Sequence, residues 1–141
     1  MAVYEFIKGS VSSLTPTAAV LEQRGIGYSI QISLHSYSQI REKESVQLFI
    51  QEIIREDTHD LYGFFTMSER ELFRQLISVS GVGANTARMM LSSLSPEEIS
   101  QAIMRDDVNL MKSIKGIGAK TAQRIIIDLR DKLGKMEESP E

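Results

Sequence analysis

The sequence contains no cysteine and only two histidines, His35 and His59. Disulfides and thiolate metal sites are therefore excluded, and histidines so far apart offer no zinc-ligand spacing. Tryptophan is absent, and aromatics make up 6% of the chain, too few for a surface that stacks nucleic-acid bases. No run of 18 apolar residues exists, so no segment reads as a membrane-spanning helix. The N-terminus enters a strand-like segment at once, without the charged and apolar blocks of a secretion signal. A cytoplasmic location is the expectation. Positive charge is also scarce: 16 Lys and Arg against 19 Asp and Glu leave a net charge of −3, mildly unfavourable for a nucleic-acid binder.

The charge is unevenly spread. Residues 1–63 carry −3, residues 64–133 carry +2 and the tail 134–141 carries −2. The positive segment is too weak to count as a basic stripe, but it coincides with the main feature of the sequence. SVSGVGANTARMML, Ser78 to Leu91, returns 35 residues later as SIKGIGAKTAQRII, Ser113 to Ile126. Gly81, Gly83, Ala84, Thr86 and Ala87 match Gly116, Gly118, Ala119, Thr121 and Ala122. Such a repeat means one supersecondary unit used twice. After each turn, apolar residues recur at helical spacing: Ala87, Met90, Leu91 and Leu94, then Ala122, Ile125, Ile126 and Leu129. Each copy therefore reads as helix, tight hairpin, helix. The glycines supply backbone conformations closed to other residues, and Val82 and Ile117 are expected to plug the space between the helices. The turn amides then sit at a helix start, where free N–H groups and the helix dipole attract an anion.

A dinucleotide fingerprint would need glycine where Thr86 and Thr121 stand, after a strand rather than a helix; a P-loop would need glycine at Ala119. Both fail. The doubled Gly-x-Gly-Ala-x-Thr-Ala pattern resembles the helix-hairpin-helix motif, a sequence-independent binder of DNA phosphates.

Upstream, VYEFIKG, VSSLT, AAVLEQ and GYSIQIS read as short strands punctuated at Gly9, Pro16 and Gly25–Gly27. Residues 34–44 read as a loop or short helix, Val46 to Ile54 as a strand, and Leu61 to Phe64 as one more. Five or six antiparallel strands in about 64 residues is the size of an OB-type barrel. Helix follows abruptly: Ser68–Glu71 and Ser95–Glu98 read as capping boxes, and Asp106 or Asp107 can cap a short helix. The last helix is expected to stop at Gly134. The fold class is thus α+β: a barrel over 1–64, a tandem helix-hairpin-helix domain over 65–134, and the start of a flexible linker over 135–141.

The barrel, the stretch from Arg55 to Phe64 (REDTHDLYGF) and the two hairpins in one frame resemble the RuvA family, Holliday-junction-binding subunits of the bacterial branch-migration complex. The resemblance covers Tyr4 to Leu133. It implies a homotetramer, singly or doubled to an octamer, that holds a four-way DNA junction square-planar for recombination and repair. It also implies a further small domain, on a flexible linker, that docks on a RuvB-type hexameric ATPase. The chain ends where that linker begins, and removal of that domain is the expected reason. The protein is expected to be non-catalytic, with neither metal nor cofactor.

Phosphate contacts are expected from the backbone of Gly81, Val82, Gly83, Gly116, Ile117 and Gly118. Asn85, Thr86, Lys120, Thr121 and Arg124 would add side-chain contacts. Such contacts position DNA and read no bases. The first copy has Asn85 where the second has Lys120, so it lacks a charge there. The resemblance implies that Glu56 and Asp57 form an acidic pin facing the crossover. Other classes fit less well. A glycosylase would need a base pocket around a group such as Asp128, and a two-metal nuclease would need more than the pairs Glu56/Asp57 and Asp106/Asp107. A general duplex-binding or protein-scaffold module is the alternative.

Overall fold

Period-two alternation shapes the first half of the chain. In the computed structural model, which describes residues 3–138, Val46, Leu48 and Ile50 of one strand are buried and the residues between them are less so. That strand, β4 (Ser45–Ile54), joins β1 (Phe6–Thr15), β2 (Ala18–Gln23), β3 (Ile26–Ile32) and β5 (His59–Phe64) in a closed barrel of order β1-β2-β3-β5-β4. Neighbours are antiparallel except β3 and β5, which run parallel at Gln31–Tyr62 and Ile32–Gly63. Closure leaves no strand edge open for pairing. The interior is aliphatic, built from Ile7, Ala19, Leu21, Ile30, Ile32, Val46, Leu48 and Ile50, with Ile40 added from α1 (Leu34–Ile40).

VYEFIKG and VSSLT are not two strands but parts of one, because Gly9 bends the chain without ending it. The first half of β1 pairs with β4 (Phe6↔Phe49 to Ser10↔Ser45) and the second with β2 (Ser10↔Glu22 to Thr15↔Ala18), with a bulge between Val11 and Ser13. At this switch the backbones close in: a Cβ on Gly9 would lie 2.5 Å from the Glu22 carbonyl oxygen. A backbone atom cannot step aside as a side chain can. Gly9→Ala is therefore expected to destabilise the barrel by about 1–3 kcal/mol, the usual range for overpacking. A urea unfolding midpoint unchanged from the parent would contradict it.

A polar knot lies beside this core. Ser33 caps α1 by accepting from Ser36 N–H at 3.0 Å. The Ser33 and Ser36 hydroxyls donate to the fully buried Glu69 carboxylate at 2.6 and 2.7 Å, and Ser36 also accepts from Phe65 N–H. Glu69 belongs to α2 (Met67–Ile77), and its role there differs from the expected capping box at Ser68–Glu71. Thr66 Oγ1 instead accepts from Glu69 N–H, because the Glu69 side chain is drawn inward by the two serines. The neighbouring Arg70, 2% exposed, donates to the backbone and carboxylate of Glu5 and stacks over Phe49, 5.5 Å from the ring centroid.

Two compact units result, Met1–Glu71 and Leu72–Glu141, with the division falling inside α2. The second is all-helical: the rest of α2, then α3 (Ala84–Ser93), α4 (Pro96–Met104), α5 (Val108–Lys112) and α6 (Ala119–Glu138). Its core includes Phe73, Leu76, Met90, Leu91, Ile99, Ile103, Ile125 and Leu129, each fully buried. The box at Ser95 forms as expected, with Ser95 Oγ accepting from Glu98 N–H and Glu98 accepting from Ser95 N–H. Those bonds hold the Glu98 carboxyl below its ordinary value. Asp107 rather than Asp106 caps α5, while Asp106 takes a left-handed conformation, φ 57°. Gly134 does not stop the last helix. α6 runs through it to Glu138, so residues 135–138 are helical where a linker was expected, and residues 139–141 of that expectation lie outside the described residues. Leu133 stays buried one residue before Gly134, and the packed face carries the helix past a single glycine, whose cost is only about 1 kcal/mol.

Candidate nucleic-acid interface

The two copies of the repeat fold into congruent turns. Ser78 Oγ donates to the Gln75 carbonyl and Ser113 Oγ to the Leu110 carbonyl, finishing α2 and α5 alike. Val82 N–H then donates to Val79 O at 3.0 Å, and Ile117 N–H to Ile114 O at 3.1 Å. Gly81 (φ 94°) and Gly116 (φ 92°) occupy the third position of these turns, where a side chain would be strained. Ala87 N–H to Gly83 O and Ala122 N–H to Gly118 O, both 2.9 Å, start α3 and α6.

This geometry refines the expected phosphate contacts. Val82 and Ile117 are 5% exposed, so they act as plugs between helices, each contributing about 1.5–3 kcal/mol of burial. Their N–H groups are consumed inside the turn, so they are not the open amides the sequence suggested. The amides of Gly83, Ala84, Asn85 and Thr86 make no hydrogen bond among the described residues, nor do those of Gly118, Ala119, Lys120 and Thr121. Gly83 offers no side-chain cap to α3. A second correction concerns the glycines. Gly83 has φ −86°, a conformation open to any residue, and a Cβ on Gly83 or Gly118 would meet nothing within 4 Å. Only Gly81 and Gly116 serve the backbone. Gly83 and Gly118 keep open the space in front of unpaired N–H groups, which is where an anion would bind.

Cations surround both turns. Lys120 and Arg124 are exposed on the first turns of α6, and Arg124 reaches Asp128 only loosely, at 3.9 Å, so it remains available to a ligand. Asn85 does not leave the first copy uncharged. Arg88 donates to Asn85 Oδ1 at 2.7 Å, setting a guanidinium against that side chain. The sequence reading passed over Arg88 because the 35-residue shift aligns it with Gln123. It missed Lys115 for the same reason: this exposed residue precedes Gly116, and its counterpart is Ser80. Thr86 and Thr121 are half-buried on the first turns of their helices.

The acidic pair lies elsewhere, in the first unit. Ile54 pairs with His59, and Arg55 N–H donates to Thr58 O at 2.8 Å, closing a hairpin whose tip exposes Glu56 and Asp57. Glu52, behind the tip, accepts from Val3 and Tyr4 N–H at 2.7 and 3.0 Å and lies 3.0 Å from His59 Nε2. These backbone donors, Val3 first, hold its carboxyl below the ordinary value of 4.5, with His59 adding to the effect. A depressed folded value means stability that is present above pH 4.5 and lost as pH falls through the folded value. Urea midpoints are thus expected to fall more steeply below pH 4.5 in the parent than in Glu52→Gln; parallel curves would contradict it.

Among the described residues no His, Asp and Glu group that could hold a metal ion occurs, and no helix is long and apolar enough to cross a membrane.

Known proteins show the same two parts in the same order. The RuvA N-terminal domain matches residues 4–63, and the SAM-like helix-hairpin-helix tandem matches residues 73–131. A Holliday junction branch migration complex subunit RuvA from Bacteroides fragilis is 54% identical over 129 residues, 92% of this chain and 64% of the relative. Its counterpart from Christiangramia forsetii is 55% identical over 130 residues, 92% of this chain and 67% of the relative. The protein of that name from Cytophaga hutchinsonii is 45% identical over 130 residues, with 92% and 65% coverage. The chain thus spans 64–67% of the length of these relatives. With an OB-like barrel leading into a tandem helix-hairpin-helix domain, and with identity at this level across nearly all its length, the chain belongs to the RuvA family.

Proposed function

We propose that this chain binds four-way DNA junctions by shape rather than sequence, as a homotetramer that holds the junction open and square-planar. The observation that carries this reading is the pair of congruent turns, each presenting unpaired helix-start amides behind an open glycine and beside Lys120, Arg124 or Arg88. Two such anion sites in one chain suit a rigid, repeating polyanion better than a single small ligand. Gly81, Gly83, Asn85, Thr86, Gly116, Gly118, Lys120, Thr121 and Arg124 line the turns, and Val82 and Ile117 hold them in shape from within. The barrel (1–64) and the hairpin domain (65–134) divide the labour: the hairpin domain grips the arms, and the barrel presents Glu56 and Asp57 to the crossover.

The relatives are named as branch migration complex subunits, so the chain takes the non-catalytic, DNA-holding part of that process. Coupling to a RuvB-type hexameric ATPase belongs to a region outside this chain. Work on recombining and damaged DNA places it in the cytoplasm. Sedimentation with and without a synthetic four-way junction tests the assembly. Free protein should run as a tetramer, and junction should shift it to a complex of four or eight chains. A concentration-independent monomer that leaves the junction unshifted would contradict the proposal.

A further inference from the structure

The barrel end that carries the acidic hairpin also carries two cations that no contact explains. β3 and β5 run parallel, with Gln31 beside Tyr62, so the turn before β3 and the turn before β5 lie at the same end. The first is the two-residue loop Arg24–Gly25 between the paired residues Gln23 and Ile26. Both loop residues have positive φ, 52° and 86°, which a tight hairpin of this kind demands. Asparagine followed by glycine would satisfy it without strain. An arginine does not, so the side chain is kept there at a conformational cost. Across the strand pair, the register Ser10↔Glu22 continues to bring Lys8 level with Arg24, and Gln23 Nε2 donates to Lys8 O at 2.7 Å, sealing that approach. Arg24 and Lys8 are exposed, and neither side chain makes a hydrogen bond or ion pair among the described residues. Acids are at hand in Glu22, Glu56 and Asp57, yet neither cation is tied to them.

We propose that Arg24 and Lys8 form a phosphate-binding pair on the barrel, a backbone contact for nucleic acid separate from the two hairpins. The strained display of an unpartnered guanidinium at a rigid turn, with an ammonium beside it, presents two donors to one phosphate. At the same barrel end the acids repel a backbone, and this pair confines its path to one side. The inference rests on the junction-binding reading above.

The test is junction affinity against salt for the parent, Arg24→Asn, Arg24→Lys and Lys8→Gln, with sedimentation and unfolding of each free protein. Asparagine accepts the positive φ, so Arg24→Asn should unfold no earlier than the parent. Its log K against log salt should be shallower by about 0.9, which taken back to 1 M corresponds to about eightfold weaker binding at 0.1 M. Lys8→Gln should do the same, and Arg24→Lys should keep the parent slope. A parent that binds with steep salt dependence while Arg24→Asn matches its slope and affinity overturns this pair alone. A parent that binds no junction overturns the pair and the function together. A weaker Arg24→Asn whose free form also sediments as smaller particles overturns the pair as well, assigning the turn to contact between protein chains.

Discussion

Gly118→Val is expected to weaken junction binding by about tenfold or more while the protein stays folded, and Gly83→Val should do the same. A hydrogen bond from an amide to a charged phosphate is worth about 1.5–3 kcal/mol, and a branched side chain in front of the helix start blocks at least one. The stability cost is smaller. Neither position needs a positive φ, and a Cβ there meets nothing within 4 Å, so valine costs only its poor helix-capping behaviour, about 1 kcal/mol. Gly116→Ala provides the contrast. At φ 92° alanine is strained, so stability should drop with little added obstruction in front of the amides. Urea midpoints and junction titrations separate the two patterns. Unchanged circular dichroism together with unchanged affinity in Gly118→Val would remove the turns from the interface.

Glu56→Gln combined with Asp57→Asn is expected to hold or tighten junction binding and to shrink the preference over linear duplex. Both acids are exposed at a hairpin tip fixed by the Ile54–His59 pair. Four chains around one crossover would place eight such charges near converging phosphates, well inside a Debye length of roughly 10 Å at moderate salt. The repulsion weakens binding but keeps strands apart at the centre, whereas linear duplex offers no converging strands. Arg55 beside the pair offsets part of it. Titrations of both DNAs decide the matter. Weaker junction binding by a folded double variant would turn the pair into an attractive contact.

The second unit was the more legible half. Its repeat fixed the two hairpins because Gly81, Gly116 and the buried Val82 and Ile117 have backbone and packing roles that leave identical residues behind. Charge was harder to read. Arg88 and Lys115 serve one copy each, so a comparison of the copies passes over them. In the barrel, strand periodicity was clear, but Gly9 looked like punctuation when it is a close backbone approach inside one long strand. The parallel contact between β3 and β5 joins residues far apart in sequence and leaves no local sign. Tertiary pairing also hid the capping of α2: Glu69 reads as part of a surface box until Ser33 and Ser36 claim its carboxylate. At Gly134, packing of the helix face outweighed a single weak residue.

One measurement bears on the central claim most directly: competition for the bound protein between a four-way junction and a linear duplex made of the same arm sequences. The account predicts that unlabelled junction displaces labelled junction at far lower concentration than the duplex does. It also predicts that this order holds when the arm sequences are changed, since the contacts run to phosphates. Displacement by duplex and junction at equal nucleotide concentration would contradict it.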